Sequence, residues 1–166
     1  KRAGPLTFVS LSYSGEIKEV GSVDAGTEPA VARWSRDGQT LFVLNAGLGI
    51  SVWKRSEGLE WKRVAFFPTG RGTSHFTLGP QANRLYVARF AEDEVSAYDL
   101  EGVRLECRQT IPCPGGPSML AMSRCGTQLL AACVFEQLVS SYRVGEEGLL
   151  KAPSTVRIHS LPVAIV

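Results

Sequence analysis

The residues with which this chain could do chemistry are few. His75 follows Ser74 just after the segment Gly70-Arg71-Gly72, and Arg89 lies a short strand further on. A histidine that takes a proton from water, an arginine that stabilises an oxyanion and a second arginine that anchors an anionic ligand would together suit hydrolysis at a carbonyl. His75, Arg89 and Arg71 can fill those roles in that order, with Glu28 and Asn45 as further ligand-holding candidates. Each has a structural rival. His75 at the start of a strand can be a hydrogen-bonded structural residue, Arg89 can pair with Glu92 or Asp93 across its own loop, and His159 has no acidic or cysteine neighbour. The run Ala91-Glu92-Asp93-Glu94 reads as a solvated loop, with divalent-cation binding as the sharper alternative. A serine nucleophile elbow, P-loop, H-E-x-x-H pair and dinucleotide fingerprint are all missing from the sequence, so no cofactor or metal is implied.

Four cysteines, Cys107, Cys113, Cys125 and Cys133, contain no C-x-x-C pair and so lack metal-ligand spacing. Six residues of extended strand would separate Cys107 from Cys113 by roughly 20 Å, too far for a disulfide. Cys113 with Cys133 stays open as a cross-strand pair, beside the reading that these are buried reduced thiols. Reduced thiols favour a reducing, cytoplasmic setting.

What could position such residues follows from the rest of the 166-residue chain. It is 44% hydrophobic and 20% charged, with 18 Lys and Arg against 16 Asp and Glu, a net charge of +2. That apolar content excludes disorder, and the balance gives no electrostatic case for nucleic acid or membrane. No apolar run approaches the ~20 residues of a spanning helix. Seventeen glycines and nine prolines spread along the chain imply many turns between short elements, an all-β reading.

An internal repeat organises these turns. Leu41, Leu85 and Leu129 recur at a spacing of 44, as do Val43, Val87 and Ala131; Trp53, Tyr98 and Tyr142 step by 45 and 44. Within each unit a short segment leads through a turn such as Arg36-Asp37-Gly38 to an apolar run, Thr40 to Leu44. A loop then precedes an alternating strand, Ile50 to Lys54, and a turn leads to a fourth strand around Trp61 to Phe67. Four antiparallel strands per ~44 residues predict a β-propeller blade. The expected division is a blade end at 6–24, blades at about 28–68, 73–112 and 117–158, and the first strand of another at 161–166. That makes three and a half blades of a ring that the remaining blades or a second copy would close. Loops entering each blade, and loops between its second and third strands, would converge on one mouth of the channel. The three tryptophans, Trp34, Trp53 and Trp61, are expected to pack between blades.

The segment Asp37-Gly38-Gln39-Thr40-Leu41-Phe42-Val43-Leu44-Asn45, followed by Ile50-Ser51-Val52-Trp53, resembles the blade core of the lactonase-type seven-bladed propellers. These include 6-phosphogluconolactonases, carboxymuconate-lactonizing enzymes and the wider YVTN-repeat proteins. Asn83 to Ala88 with Val95 to Tyr98 repeats the resemblance, which covers nearly the whole chain. It implies lactone hydrolysis or lactonization of a small anionic sugar or muconate-type substrate, by a site of His, Arg and Glu at the channel mouth. That site maps onto this chain at His75 and Arg89. Only one of the three blade entries, Glu28-Pro29, Ser74-His75 and Gly116-Pro117, carries a histidine. A non-catalytic propeller that scaffolds a protein partner is therefore the alternative.

Overall fold

The computed structural model describes residues 3–56, 60–81 and 83–160. It contains fourteen strands and, among the described residues, no helix. β1 (Ala3–Leu11) and β2 (Ile17–Thr27) form an antiparallel hairpin. Three four-stranded antiparallel sheets follow, each laid down in chain order. Blade 1 is β3 (Pro29–Trp34), β4 (Thr40–Asn45), β5 (Gly49–Arg55) and β6 (Trp61–Pro68). Blade 2 is β7 (Thr73–Leu78), β8 (Arg84–Arg89), β9 (Glu94–Glu101) and β10 (Arg104–Pro112). Blade 3 is β11 (Pro117–Met122), β12 (Gln128–Cys133), β13 (Leu138–Arg143) and β14 (Ser154–Arg157). The further strand expected at 161–166 lies outside the described residues.

The first strands of the blades neighbour one another, β3 with β7 and β7 with β11, so they form the inner wall of a partial propeller. The second and third strands are buried on both faces. Leu41 to Asn45 and Gly49 to Trp53 are all buried, whereas Lys62, Arg63 and Val64 on the outer strand β6 are exposed. The alternation of Ile50 and Val52 with Ser51 and Trp53 therefore separates two neighbouring blades; it does not separate core from solvent.

Three apolar clusters occupy the joints. Leu6, Phe8 and Val23 of the hairpin meet Leu41, Val43 and Trp53 of blade 1. Phe42, Leu44, Ile50 and Val52 meet Phe76, Leu85 and Val87 of blade 2. Tyr86, Ala88, Val95 and Ala97 meet Leu120, Leu129, Ala131 and Tyr142 of blade 3. Trp34, expected to pack between blades, is 47% exposed. It sits at the far end of β3 in a ring cluster with Phe8 and Trp61, at centroid distances of 6.1 and 5.0 Å.

Each inner strand carries a register shift at its second residue. The bulged residues are Ala30, Ser74 and Ser118, spaced by 44. Just upstream, Glu28, Gly72 and Gly116 share that spacing and all have positive φ, at 52°, 76° and 68°. The blade entry thus demands a left-handed residue followed by a bulge, and twice the sequence meets the demand with glycine.

Candidate functional site

Because β3, β7 and β11 are inner edge strands, one row of their backbone amides and carbonyls has no partner within its own sheet. On β7, Ser74 and His75 reach across to this row on β11. Ser74 Oγ donates to the Pro117 carbonyl at 2.8 Å, and the Leu120 amide donates to His75 Nδ1 at 3.2 Å. On its other side, His75 Nε2 lies 3.5 Å from Nη2 of Arg33 on β3. The histidine thus spans three blades on the channel wall.

The electrostatics of the ring follow from these neighbours. Burial, aided by the positive charge of Arg33, lowers the imidazole pKa from 6.5 to about 4, so the ring is neutral near pH 7. With Nδ1 accepting from a backbone amide, the single proton is on Nε2. The ring therefore offers a donor toward Arg33 and the channel. In this geometry the Leu120 amide occupies the Nδ1 lone pair, so the base role expected for His75 would require that contact to open when a ligand binds.

Arg89 does not join His75. In the β7–β8 ladder His75 faces Ala88, so Arg89, one residue on, projects from the opposite face of the blade. Its guanidinium is 3.1 Å from Glu94 and 3.5 Å from Glu92. Pairing across its own loop is thus realised, though with Glu92 and Glu94. Asp93 instead accepts the Gly116 amide on Oδ1 at 2.6 Å, tying the loop to the next blade entry. Two carboxylates balance the charge of Arg89, which makes it a weak anchor for an anion.

Asn45 is buried and fully engaged. Its Nδ2 donates to the carbonyls of Ala25 and Thr27 at 2.8 and 3.0 Å, and its Oδ1 accepts from Ser51 Oγ at 2.8 Å. Its amide joins the hairpin to blade 1, with both N–H donors and one lone pair of Oδ1 engaged within the fold. Glu28 and Arg71 lie exposed in the blade-entry segments. The mouth itself forms as expected: Ala46 N–H donates to the Glu28 carbonyl, Phe90 N–H to Gly72 and Val134 N–H to Gly116. Among the described residues, no group of three or more His, Cys, Asp or Glu is placed to hold a metal ion.

No family model matches the sequence, and no curated protein does. Solved structures match it well. The periplasmic gluconolactonase of Pseudomonas aeruginosa superposes with a TM-score of 0.80 at 19% identity, over 100% of this chain and 52% of that one. A protein from Lactobacillus plantarum gives 0.77 at 12% identity over 91% and 50%. A Bacteroides uniformis protein assigned provisionally as a 6-phosphogluconolactonase gives 0.76 at 16% identity over 91% and 51%.

The fold is that of the lactonase-type β-propellers. The chain spans about half the length of these neighbours. Within this propeller, the residue beside His75 that the sequence did not single out is Arg33. Nothing in the segment Ala32-Arg33-Trp34 marks it, because its meeting with His75 crosses two blades and 42 positions. The available signal was positional. Arg33 lies on an inner strand, where long polar side chains can reach the channel.

Proposed function

We propose that the protein is a lactone hydrolase or lactonizing enzyme of the 6-phosphogluconolactonase-like kind, acting at the channel on a small anionic sugar or muconate-type lactone. The observation that carries this reading is the pair formed by His75 Nε2–H and the Arg33 guanidinium, 3.5 Å apart on the channel wall. Two donors, one of them charged, suit the oxygen that becomes negative when water adds to a lactone carbonyl. They suit equally the carboxylate or phosphate of the substrate. His75 would act as a neutral donor. The proton of the attacking water would go to another base as long as the Leu120 amide holds Nδ1. Glu28 and Arg71, at the entries, are proposed as outer contacts for the substrate. Further blades or a second copy would complete the ring.

The test is turnover of 6-phosphogluconolactone, gluconolactone and carboxymuconolactone above the spontaneous rate. His75→Ala and Arg33→Ala should each lower kcat by at least about tenfold. No turnover of any of the three would sink the proposal.

A second reading, a non-catalytic scaffold, is favoured by the aromatic cluster of Phe8, Trp34 and Trp61. It borders a groove of ≈ 650 Å³ lined in part by Phe8, Val20, Arg55 and Glu60. Exposed aromatics of this kind suit a protein partner. Trp34→Ala should then abolish partner binding, and the parent protein should turn over none of the three lactones.

A further inference from the structure

The three joints of the molecule use one structural position. Asn45, Arg89 and Cys133 end the second strands of their blades at a spacing of 44, and Ala25, Thr69 and Cys113 lie in or just past the preceding unit's last strand, again 44 apart. In the first joint Asn45 donates to the Ala25 carbonyl across the gap. In the second, Arg89 lies against the Gly70 backbone and binds the carboxylates of its own loop. In the third the facing groups are two thiols, Cys113 and Cys133, with Sγ atoms 3.3 Å apart and both side chains fully buried. Cys133 Sγ also lies 3.7 Å from Ser140 Oγ, and Tyr142 donates to the Pro112 carbonyl at 3.3 Å beside the pair.

We propose that Cys113 and Cys133 are a reversible disulfide site that covalently joins blade 2 to blade 3 at the mouth. Formation requires a co-reactant, and a low-molecular-weight disulfide such as oxidised glutathione supplies it. The Cys113 thiolate attacks one sulfur of that disulfide and releases one glutathione thiolate, leaving a mixed disulfide on Cys113. The Cys133 thiolate then attacks the Cys113 sulfur and displaces the second glutathione. Two protein thiols are oxidised, the reagent disulfide is reduced by two electrons, and the two protons appear on the two released thiols. Cys113 is the better attacking group, because the hydrogen bond from Cys133 favours its ionised form.

The bond would close a gap already bridged by backbone contacts. Cys113 N–H donates to the Asp93 carbonyl, Phe135 N–H to Gly115 and Val134 N–H to Gly116. Little rearrangement is therefore needed to bring sulfurs 3.3 Å apart to a bond of about 2.05 Å. Cys107 and Cys125 are exposed and stand apart from the pair, so they serve as internal controls.

The experiment equilibrates the protein with oxidised glutathione, alkylates free thiols and maps tryptic peptides without reduction. The expected product links peptide 109–124 to peptide 125–143 through Cys113 and Cys133, with Cys125 alkylated or glutathionylated. A Cys107→Ala, Cys125→Ala variant should show the same link and a Tm raised by roughly 5–10 °C over its reduced form. Cys133→Ser should trap glutathione on Cys113. Because both thiols are buried, the incubation is repeated in mild urea, where access no longer limits exchange. If both cysteines are still alkylated there, or if either is joined only to Cys107 or Cys125, the proposal is overturned.

Discussion

Asn45, expected from the sequence as a ligand-holding candidate, is held by the fold itself through three hydrogen bonds. A chain position that carries Asn, Arg and Cys in successive blades looks variable in sequence, yet in every blade it faces the preceding one. Asn45→Ala removes two donors and an acceptor from a buried site and strands the Ala25 carbonyl and the Ser51 hydroxyl. We expect a loss of about 2–4 kcal/mol, measured by urea unfolding, because each stranded buried group costs its desolvation. A substrate-binding asparagine would instead leave stability unchanged and raise KM. His75 makes a prediction in pH. Its folded pKa of about 4 lies below its ordinary 6.5. Between those values the unfolded chain binds a proton that the folded chain refuses, so stability falls as pH drops from 6.5 to 4 and levels off below. Allowing for the partial exposure of the ring, the loss is about 1–2 kcal/mol. His75→Gln keeps an acceptor for the Leu120 amide and should flatten this part of the profile. Urea midpoints at pH 7 and pH 4.5 decide it, and an unchanged slope in the variant would assign the effect to other groups.

At the level of elements, the strands were legible because their apolar runs and turn glycines recur at a fixed interval. The blade entries were less so. Glu28 holds a φ of 52° where the two equivalent positions hold glycine. That cost, about 1 kcal/mol, is invisible in composition. Gly116→Ala should be clearly destabilising, by about 1–3 kcal/mol, since a Cβ at φ 68° would come within 2.7 Å of the Phe135 ring and 3.1 Å of Phe90. Glu28→Gly relieves the positive φ at this entry but also removes the contacts of the Glu28 side chain, so the change in urea midpoint reads the difference between the two. If Glu28 contacts substrate as proposed, the same change raises KM, and the two readouts separate backbone strain from binding. The bulges at Ala30, Ser74 and Ser118 were not foreseen, because a bulge is a property of two strands in register and leaves no mark on either one alone.

Across the whole molecule, stability is carried by joints between neighbours, so a change at one joint is felt on both sides. Phe76, fully buried between blades 1 and 2, is the clearest case. Phe76→Ala should cost about 3–5 kcal/mol and loosen blade 1 from the rest. All three tryptophans lie in blade 1, while Tyr86, Tyr98 and Tyr142 lie in blades 2 and 3. Tryptophan fluorescence and tyrosine circular dichroism should therefore coincide during unfolding of the parent protein and separate in the variant. Coincident transitions in both would mean that this joint does not govern cooperativity. Taken by itself, the sequence determined the all-β class, the four-stranded unit and the loops that gather at one mouth, because periodicity and turn chemistry are local. Only the tertiary structure decided which polar residues meet. Arg33 reaches His75 across two inner strands, Arg89 turns to the opposite face, and Asn45 is spent on a joint, because side-chain direction in a propeller is fixed by ladder register and by the neighbouring blade.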